Sequence, residues 1–274
     1  MNNKVIKKVL MCEPRFFQVQ YEINPWMKIG SIDPKKAFKQ WEELYKTYLK
    51  MGIAVDLIEP QSHLPDMVFS ADQGLVKKKT VIISNFHYPQ RRKEAVFYEN
   101  WYKNNSFDIR KISENLFFEG SGESLWWGEK LFVGKGFRNS EGIELKLKEA
   151  LGVEAVALEL INPYFYHLDT CLFPLNKDTV FYYPEAFSSQ SLETLKKIVP
   201  DLIPIGKKEA FNFAANSVLT DHHVVTETGN PRFKGKLKTY GYEIVEVDVS
   251  EFFKAGGGIH CLTGVVAEGL SLDS

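Results

Sequence analysis

Cys261 follows three consecutive glycines, Gly256-Gly257-Gly258, in the run GGGIHCLT. A cysteine does chemistry as its thiolate, which attacks electron-poor carbon and is favoured by a cationic neighbour. Most free cysteines are instead small buried hydrophobes, and Cys12 and Cys171 are read that way. The glycine run sets Cys261 apart, because glycine costs chain entropy and lets a ligand approach the backbone closely, and packing alone gives no reason for three of them. His167 and Asp169 stand two apart in YHLDT. On a strand such residues share a face and address one ligand, and an imidazole exchanges protons near neutral pH. Glu119 ends the run LFFE and Asp72 closes MVFSAD. An acid at the end of an apolar run is either exposed at a strand end or buried and paired. Three acids, Asp72, Glu119 and Asp169, around one cysteine suit a flat cation with several N–H donors, and guanidinium is that cation. Arg91 and Arg138 would then hold a carboxylate at the far end of the same ligand.

These residues are far apart in sequence, so the fold must gather them. Short apolar runs alternate with single amphipathic helices. Residues 35–51 read as a helix with Phe38, Trp41, Leu44, Tyr45, Tyr48 and Leu49 on one face, capped by Asp33, opened by Pro34 and closed by Gly52. Four further helices are expected over 91–102, 141–151, 191–199 and 231–240. Each is followed by a short strand, near 107–109, 154–158, 202–205 and 242–247. Two apolar runs precede each helix: 67–76 and 80–85, 115–119 and 130–133, 166–172 and 179–183, and 214–220 and 223–226. The unit is strand, strand, helix, strand, recurring at roughly fifty-residue intervals, a spacing of repeat architectures. The ends supply a fifth unit: 259–267 gives a strand, and 5–11, the helix at 35–51 and 53–58 give the rest. Closing a ring removes exposed sheet edges. The alternative is an open α/β sheet. In a ring, corresponding unit ends converge, which turns five distant stretches into one pocket.

The 274 residues are 44% hydrophobic and 25% charged with a net charge of -1, an ordinary globular composition. Nucleic-acid and membrane surfaces need a basic excess, so the expected partner is a small molecule, with a homo-oligomer compatible with the composition. The apolar stretch 9–12 is too short for a signal-peptide core, and no run reaches the eighteen or so apolar residues of a membrane span. With three widely spaced cysteines, which make no disulfide framework, this reads as a cytoplasmic chain. No CxxC or HExxH spacing occurs, so no structural metal is expected. The adjacent His222 and His223 read as turn or surface residues.

Together the stretches LPDMVFSAD, RRKE, FEGSG, GKGFRNS, YHLDT, AANSVL, GYEIVEVDVSEF and GGGIHCLT resemble, in order and spacing, the guanidine-modifying (pentein) superfamily of arginine deiminases, dimethylarginine dimethylaminohydrolases and amidinotransferases. The stretch YEINPWM is similar to a set within it that includes arginine dihydrolases. The resemblance implies a five-bladed pseudosymmetric α/β propeller of strand-strand-helix-strand units, with 1–274 as a single domain whose fifth unit is formed by both termini. It implies Cys261 as nucleophile, His167 as general acid/base, and Glu119 and Asp72 gripping the guanidinium. Asp169 matches the second guanidinium-binding acid of the deiminases, and Arg91 and Arg138 match positions that fix the substrate carboxylate. Asp66 would line the pocket, and Asn24 would lie in the counterpart of a mobile lid loop. The implied reaction cleaves a C–N bond of arginine or a methylated arginine through a covalent thiouronium, giving a citrulline-type product without cofactor or metal. Amidino transfer, or double hydrolysis to ornithine and ammonia, are the alternatives. The resemblance has departures. Some dimethylarginine hydrolases lack an acid at the Asp169 position, which tilts toward unsubstituted guanidines. Dihydrolases carry asparagine where this chain has Asp72, which argues against double hydrolysis. Deiminases usually run longer.

Overall fold

The computed structural model describes residues 4–270; the expected domain limits at 1 and 274 lie outside the described residues. Among the described residues five three-stranded sheets form, all on one plan. An antiparallel pair is followed by a helix, and a third strand returns parallel to the middle one. Gly74–Lys77 pairs antiparallel with Thr80–Ile83, the helix Glu94–Asn104 follows, and Asp108–Lys111 returns parallel. The same order runs through Ser124–Trp127, Lys130–Lys135, the helix Ile143–Leu151 and Ala155–Glu159. It recurs in Leu172–Pro174, Thr179–Tyr182, the helix Ser189–Ile198 and Asp201–Pro204. Val218–Leu219, His223–Glu227, the helix Pro231–Thr239 and Glu243–Val247 repeat it again. In the remaining sheet Gly264–Leu270 pairs antiparallel with Lys4–Cys12, and the helix Pro34–Lys50 carries the chain to Ala54–Ile58, parallel to Lys4–Cys12.

The chain separates into two compact units. One comprises residues 72–216 with three of the sheets, the other 4–71 and 217–270 with two. In the first, the helix Ile143–Leu151 lays Ile143, Leu147 and Leu151 onto Leu75, Ile82, Phe118, Leu131 and Val133. Each such fully buried side chain contributes about 1.5–3 kcal/mol. In the second, Asp33 Oδ1 caps the helix Pro34–Lys50 by accepting from the N–H groups of Lys35 and Lys36 at 3.0 and 3.2 Å. That helix buries Ala37, Gln40, Trp41, Leu44 and Tyr48. Phe38 and Leu49, expected on the same face, are instead exposed, because the buried stripe is centred on 37, 41, 44 and 48 and leaves them at its rim.

A systematic difference concerns the first strand of each unit. The apolar runs predict strands from about 67, 115, 166, 214 and 259, but the strands begin at Gly74, Ser124, Leu172, Val218 and Gly264. The residues before them form tight turns. Phe69 N–H donates to Asp66 O at 3.0 Å, Thr170 N–H to His167 O at 3.2 Å, Asn216 N–H to Phe213 O at 3.0 Å and Thr263 N–H to His260 O at 2.9 Å. Gly120–Gly122 is a 3-10 turn, and Phe118 pairs with Asn85 in an isolated bridge. Short apolar runs buried on all sides carry no period, so hydrophobicity alone does not separate strand from turn there. Among the described residues no helix is long and apolar enough to cross a membrane.

Candidate active site

The turns ahead of the strands carry Asp66, Asp72, Glu119, His167, Asp169 and Cys261, whereas Arg91, Arg138 and Asn24 lie in other connections. In the 72–216 unit, His167 has an extended backbone (φ -116°, ψ 145°) and opens the 3-10 turn Leu168–Thr170. The strand geometry expected for His167 and Asp169 is therefore corrected: a turn, closed by Thr170 N–H and Oγ1 donating to His167 O, places both in the interior. His167, Asp72, Glu119 and Asp169 are all at most 2% exposed.

The imidazole sits between two carboxylates. Nε2 lies 2.7 Å from Glu119 Oε2 and Nδ1 lies 3.6 Å from Asp72 Oδ1. Burial alone would make His167 a weaker base, but the charge of Asp72 and the hydrogen bond and charge of Glu119 outweigh it, so its pKa is raised and the protonated ring is favoured. Burial likewise pushes Glu119 up, and Arg138 with His167 overcomes it, leaving Glu119 ionised far below the usual carboxylate range. Asp72 moves the other way. Burial raises its pKa against the opposing charges of His167 and Arg91, and neighbouring Asp169 adds to the rise.

Arg138 Nη1 donates to Glu119 Oε2 at 3.0 Å, and its guanidinium lies over the rings of Tyr88 and Tyr166 at 4.7 and 4.4 Å. Arg91 Nη1 donates to Asp72 Oδ2 at 2.7 Å, and its Nη2 to Glu94 Oε2 at 3.0 Å. Both arginines are buried, and each neutralises acids of the cluster. Glu119 is further fixed by His87 N–H, which donates to Oε1 at 3.0 Å, and by its own N–H, which donates to Asn139 Oδ1 at 3.0 Å. Arg91, Arg138 and His167 make three cations against the five acids Asp72, Glu94, Glu119, Glu123 and Asp169. Asp72 Oδ1 is buried and accepts no hydrogen bond. An acid excess with an unmet acceptor favours a cationic N–H donor.

Two acids of this cluster escaped the reading of the sequence. Glu94 follows Arg91 by three residues at the start of a helix, a spacing that puts side chains together; Gln73 Nε2 also donates to it at 2.6 Å. Glu123 abuts the apolar run SLWW, the same signal that singled out Glu119. Gly122 provides the room. A methyl group there would overlap Asp72 Oδ1 and lie 3.0 Å from His167 Nδ1. Gly122→Ala should lower kcat/KM about tenfold or more by displacing both groups, at a cost of about 1–3 kcal/mol in stability. Steady-state rates alongside thermal melts check this; unchanged kinetics would mean that the Asp72–His167 geometry is not critical.

In the other unit Cys261 lies in a turn. Leu262 N–H donates to Gly258 O at 3.1 Å, and Ala71 N–H to Cys261 O at 3.1 Å. Thr263 Oγ1 donates to Ile259 O and pairs with Tyr48 OH, both at 2.7 Å. The glycine run has a packing reason after all: a methyl group on Gly257 would overlap the Phe69 ring, and Gly256 has a φ of +85°, a left-handed backbone that favours glycine. Cys261 is only 2% exposed. Asp66 is buried and accepts from Tyr21 OH at 2.8 Å. Asn24 Nδ2 donates to Ala255 O at 3.0 Å, while its Oδ1 accepts from Trp26 N–H at 2.9 Å.

A family profile described as "N,N dimethylarginine dimethylhydrolase, eukaryotic" matches residues 21–267. The chain belongs to this family. Among its relatives is the N(G),N(G)-dimethylarginine dimethylaminohydrolase of Mycobacterium tuberculosis (strain ATCC 25618 / H37Rv), 40% identical over 258 residues, which cover 94% of this chain and 85% of that one. The bifunctional arginine dihydrolase/ornithine cyclodeaminase ArgZ of Synechocystis sp. is 36% identical over 267 residues, 95% of this chain, which spans only 38% of that protein's length. A crystal structure of the N-terminal domain of ArgZ, a cysteine-to-serine mutant bound to substrate, superposes with a TM-score of 0.90 at 35% identity, covering 93% of this chain and 96% of that one. The family is one of guanidine-modifying hydrolases, as the resemblance implied, and the fold class is the expected five-unit α/β propeller rather than an open sheet.

Proposed function

We propose that the chain hydrolyses a C–N bond in the guanidinium of a methylated arginine, or of arginine itself, through a covalent intermediate on Cys261. The observation that carries this reading is the His167 cluster, in which a proton-holding imidazole lies between two buried acids, one of them with an unmet acceptor oxygen. Asp72, Glu119 and Asp169 grip the guanidinium and polarise its central carbon. The thiolate of Cys261 attacks that carbon; the bound cation itself favours the thiolate. The C–N bond breaks as His167 protonates the departing amine, leaving an S-alkylthiouronium. Water then loses a proton to His167 and attacks the same carbon, and the C–S bond breaks to release a ureido product such as citrulline and regenerate the thiolate.

Arg91 and Arg138 hold the substrate carboxylate in addition to neutralising the acids. The segment around Asn24 acts as a lid, latched by the Tyr21–Asp66 and Asn24–Ala255 hydrogen bonds; with Cys261 2% exposed, entry requires such an opening. Residues 1–274 work as one guanidine-modifying domain in the cytoplasm, where cysteine thiols such as those of Cys12, Cys171 and Cys261 stay reduced. The substrate is a small molecule, and neither nucleic acid nor membrane is a partner. The relationship to ArgZ favours double hydrolysis as the second reading; asparagine in dihydrolases at the position of Asp72 counts against it.

Incubation with arginine, monomethylarginine, dimethylarginine and agmatine, scored by mass spectrometry, separates the readings. Methylamine or dimethylamine with citrulline is the expected result from methylated substrates. Citrulline and ammonia from arginine identifies a deiminase, ornithine with two ammonias a dihydrolase, and product formed only with an acceptor amine a transferase. No turnover of any guanidine would end the proposal.

A further inference from the structure

Glu123 is a fully buried acid to which the proposed reaction gives no task. It closes the Gly120–Gly122 turn, four residues after Glu119. Its side chain reaches the main chain of the histidine segment, where Oε2 accepts the N–H of Leu168 at 3.1 Å. Its own carbonyl accepts the N–H of Gly134 at 2.8 Å. Gly134 makes the space: a methyl group there would overlap Glu123 Oε2 and come within 3.1 Å of Leu168 Cβ. The carboxyl is therefore packed into a slot shaped around it, directly behind His167.

Its environment differs from that of Glu119. Glu119 shares its oxygens among His167, Arg138 and the N–H of His87. Glu123 has a single N–H donor on Oε2, and its buried Oε1 has no hydrogen-bond partner. Among the described residues no cation pairs with it. A carboxylate so poorly compensated is costly to hold in the interior, and a neutral acid much less so. The charged and titratable groups facing it are His167, Glu119 and Arg138, with Cys171 beyond the Leu168–Thr170 turn. Burial is the largest influence and pushes the Glu123 carboxyl up to about 8; His167 opposes the rise, Glu119 adds to it, and the Leu168 N–H and Arg138 oppose it.

We propose that Glu123 is a positioning residue for His167, clamping the His167–Leu168 peptide as a neutral acid so that the imidazole is aimed without a third negative charge beside it. The neutrality has a purpose. His167 must give up a proton to the leaving amine and then take one from water. Two acids, Asp72 and Glu119, already favour the protonated ring; a third ionised one would hold that proton too firmly to be released. The inference rests on the reading of His167 as the acid–base group.

The test compares Glu123→Gln, Glu123→Ala and His167→Ala in the full chain. Glu123→Gln preserves shape and neutrality, so kcat should stay within about threefold of wild type, whereas Glu123→Ala should lower kcat about a hundredfold with KM within about threefold, as for a misaimed proton donor. Thermal melts from pH 5 to 8 report the proton independently of activity. The native wild type keeps a proton that the unfolded chain has lost above a pH of about 4.3, so it should lose stability relative to Glu123→Gln as pH rises across that window. A stability difference that is flat with pH overturns the neutral acid, and does so even where Glu123→Ala fails to fold. A Glu123→Gln variant as slow as Glu123→Ala also overturns it. An inactive His167→Ala beside a fully active Glu123→Ala overturns the positioning role alone, whereas a fully active His167→Ala removes the acid–base reading beneath it.

Discussion

Cys261→Ser should lower turnover by at least about a thousandfold while the fold persists, the scale seen when a covalent nucleophile is removed. The reason lies in ionisation. A thiol of ordinary pKa near 8.5 is a few per cent thiolate at neutral pH, and a neighbouring guanidinium raises that fraction. A serine hydroxyl has no comparable ionised population, and Asp72 and Glu119 raise the His167 pKa toward the protonated ring, the form suited to protonating the leaving amine in the first step. The fold should survive because the turn around Cys261 is fixed through other atoms: Cys261 O by Ala71 N–H, and Thr263 by Ile259 O and Tyr48 OH. Two measurements check this. Rates on a methylated arginine give the loss, and intact-protein mass spectrometry of wild type quenched during turnover should find a species heavier by substrate minus the departing amine, absent from the variant. A serine variant running above about a tenth of wild-type rate would exclude the thiouronium route.

The sequence was legible where periodicity is physical. Trp41, Leu44 and Tyr48 recur at helical spacing because one face of the Pro34–Lys50 helix is buried, and all five sheets follow the strand, strand, helix, strand order read from alternating apolar runs. It was illegible where burial is complete. Phe117 and Phe118 look like the start of a strand, yet Ser124–Trp127 is the strand and the turn Gly120–Gly122 lies between. Candidate residues were easier to find than their geometry. Composition singles out Asp72, Glu119, His167 and Asp169 because acids and a histidine interrupt apolar runs, but no one-dimensional pattern reveals that Arg91 and Arg138 lie against those acids. The glycines before Cys261 misled for a related reason: Gly257 answers to the Phe69 ring, a neighbour 188 positions away along the chain. Glu123 had the same local signature as Glu119, an acid next to an apolar run, but without a partner in view nothing marked it as buried.

Glu119→Gln should be the most disruptive isosteric change in the acid cluster, because one oxygen serves two cations. Glu119 Oε2 is 2.7 Å from His167 Nε2 and 3.0 Å from Arg138 Nη1. Removing its charge leaves Arg138, 2% exposed, without that counter-ion, and breaking a buried pair in this way costs about 3–5 kcal/mol. It also removes a group that favours the protonated imidazole, so the His167 pKa should fall. The two shifts act at opposite ends of the pH range. Glu119 is depressed in the folded state, so its contribution is present above the unfolded value near 4.3 and is lost only as pH falls through the much lower folded one. His167 is raised, so its contribution is present below about 6.5 and is lost as pH climbs through the folded value above that. Wild type should therefore keep its cluster stability through mild acid and lose part of it on the alkaline side, whereas Glu119→Gln should lack the acid-side contribution altogether. In the rate, a His167 that can no longer hold its proton fails to protonate the leaving amine, a loss of about a hundredfold or more in kcat/KM, and the alkaline limb of the pH profile should move to lower pH. A variant that is slower yet keeps the wild-type alkaline limb would assign Glu119 to gripping the substrate and leave the proton of His167 to Asp72.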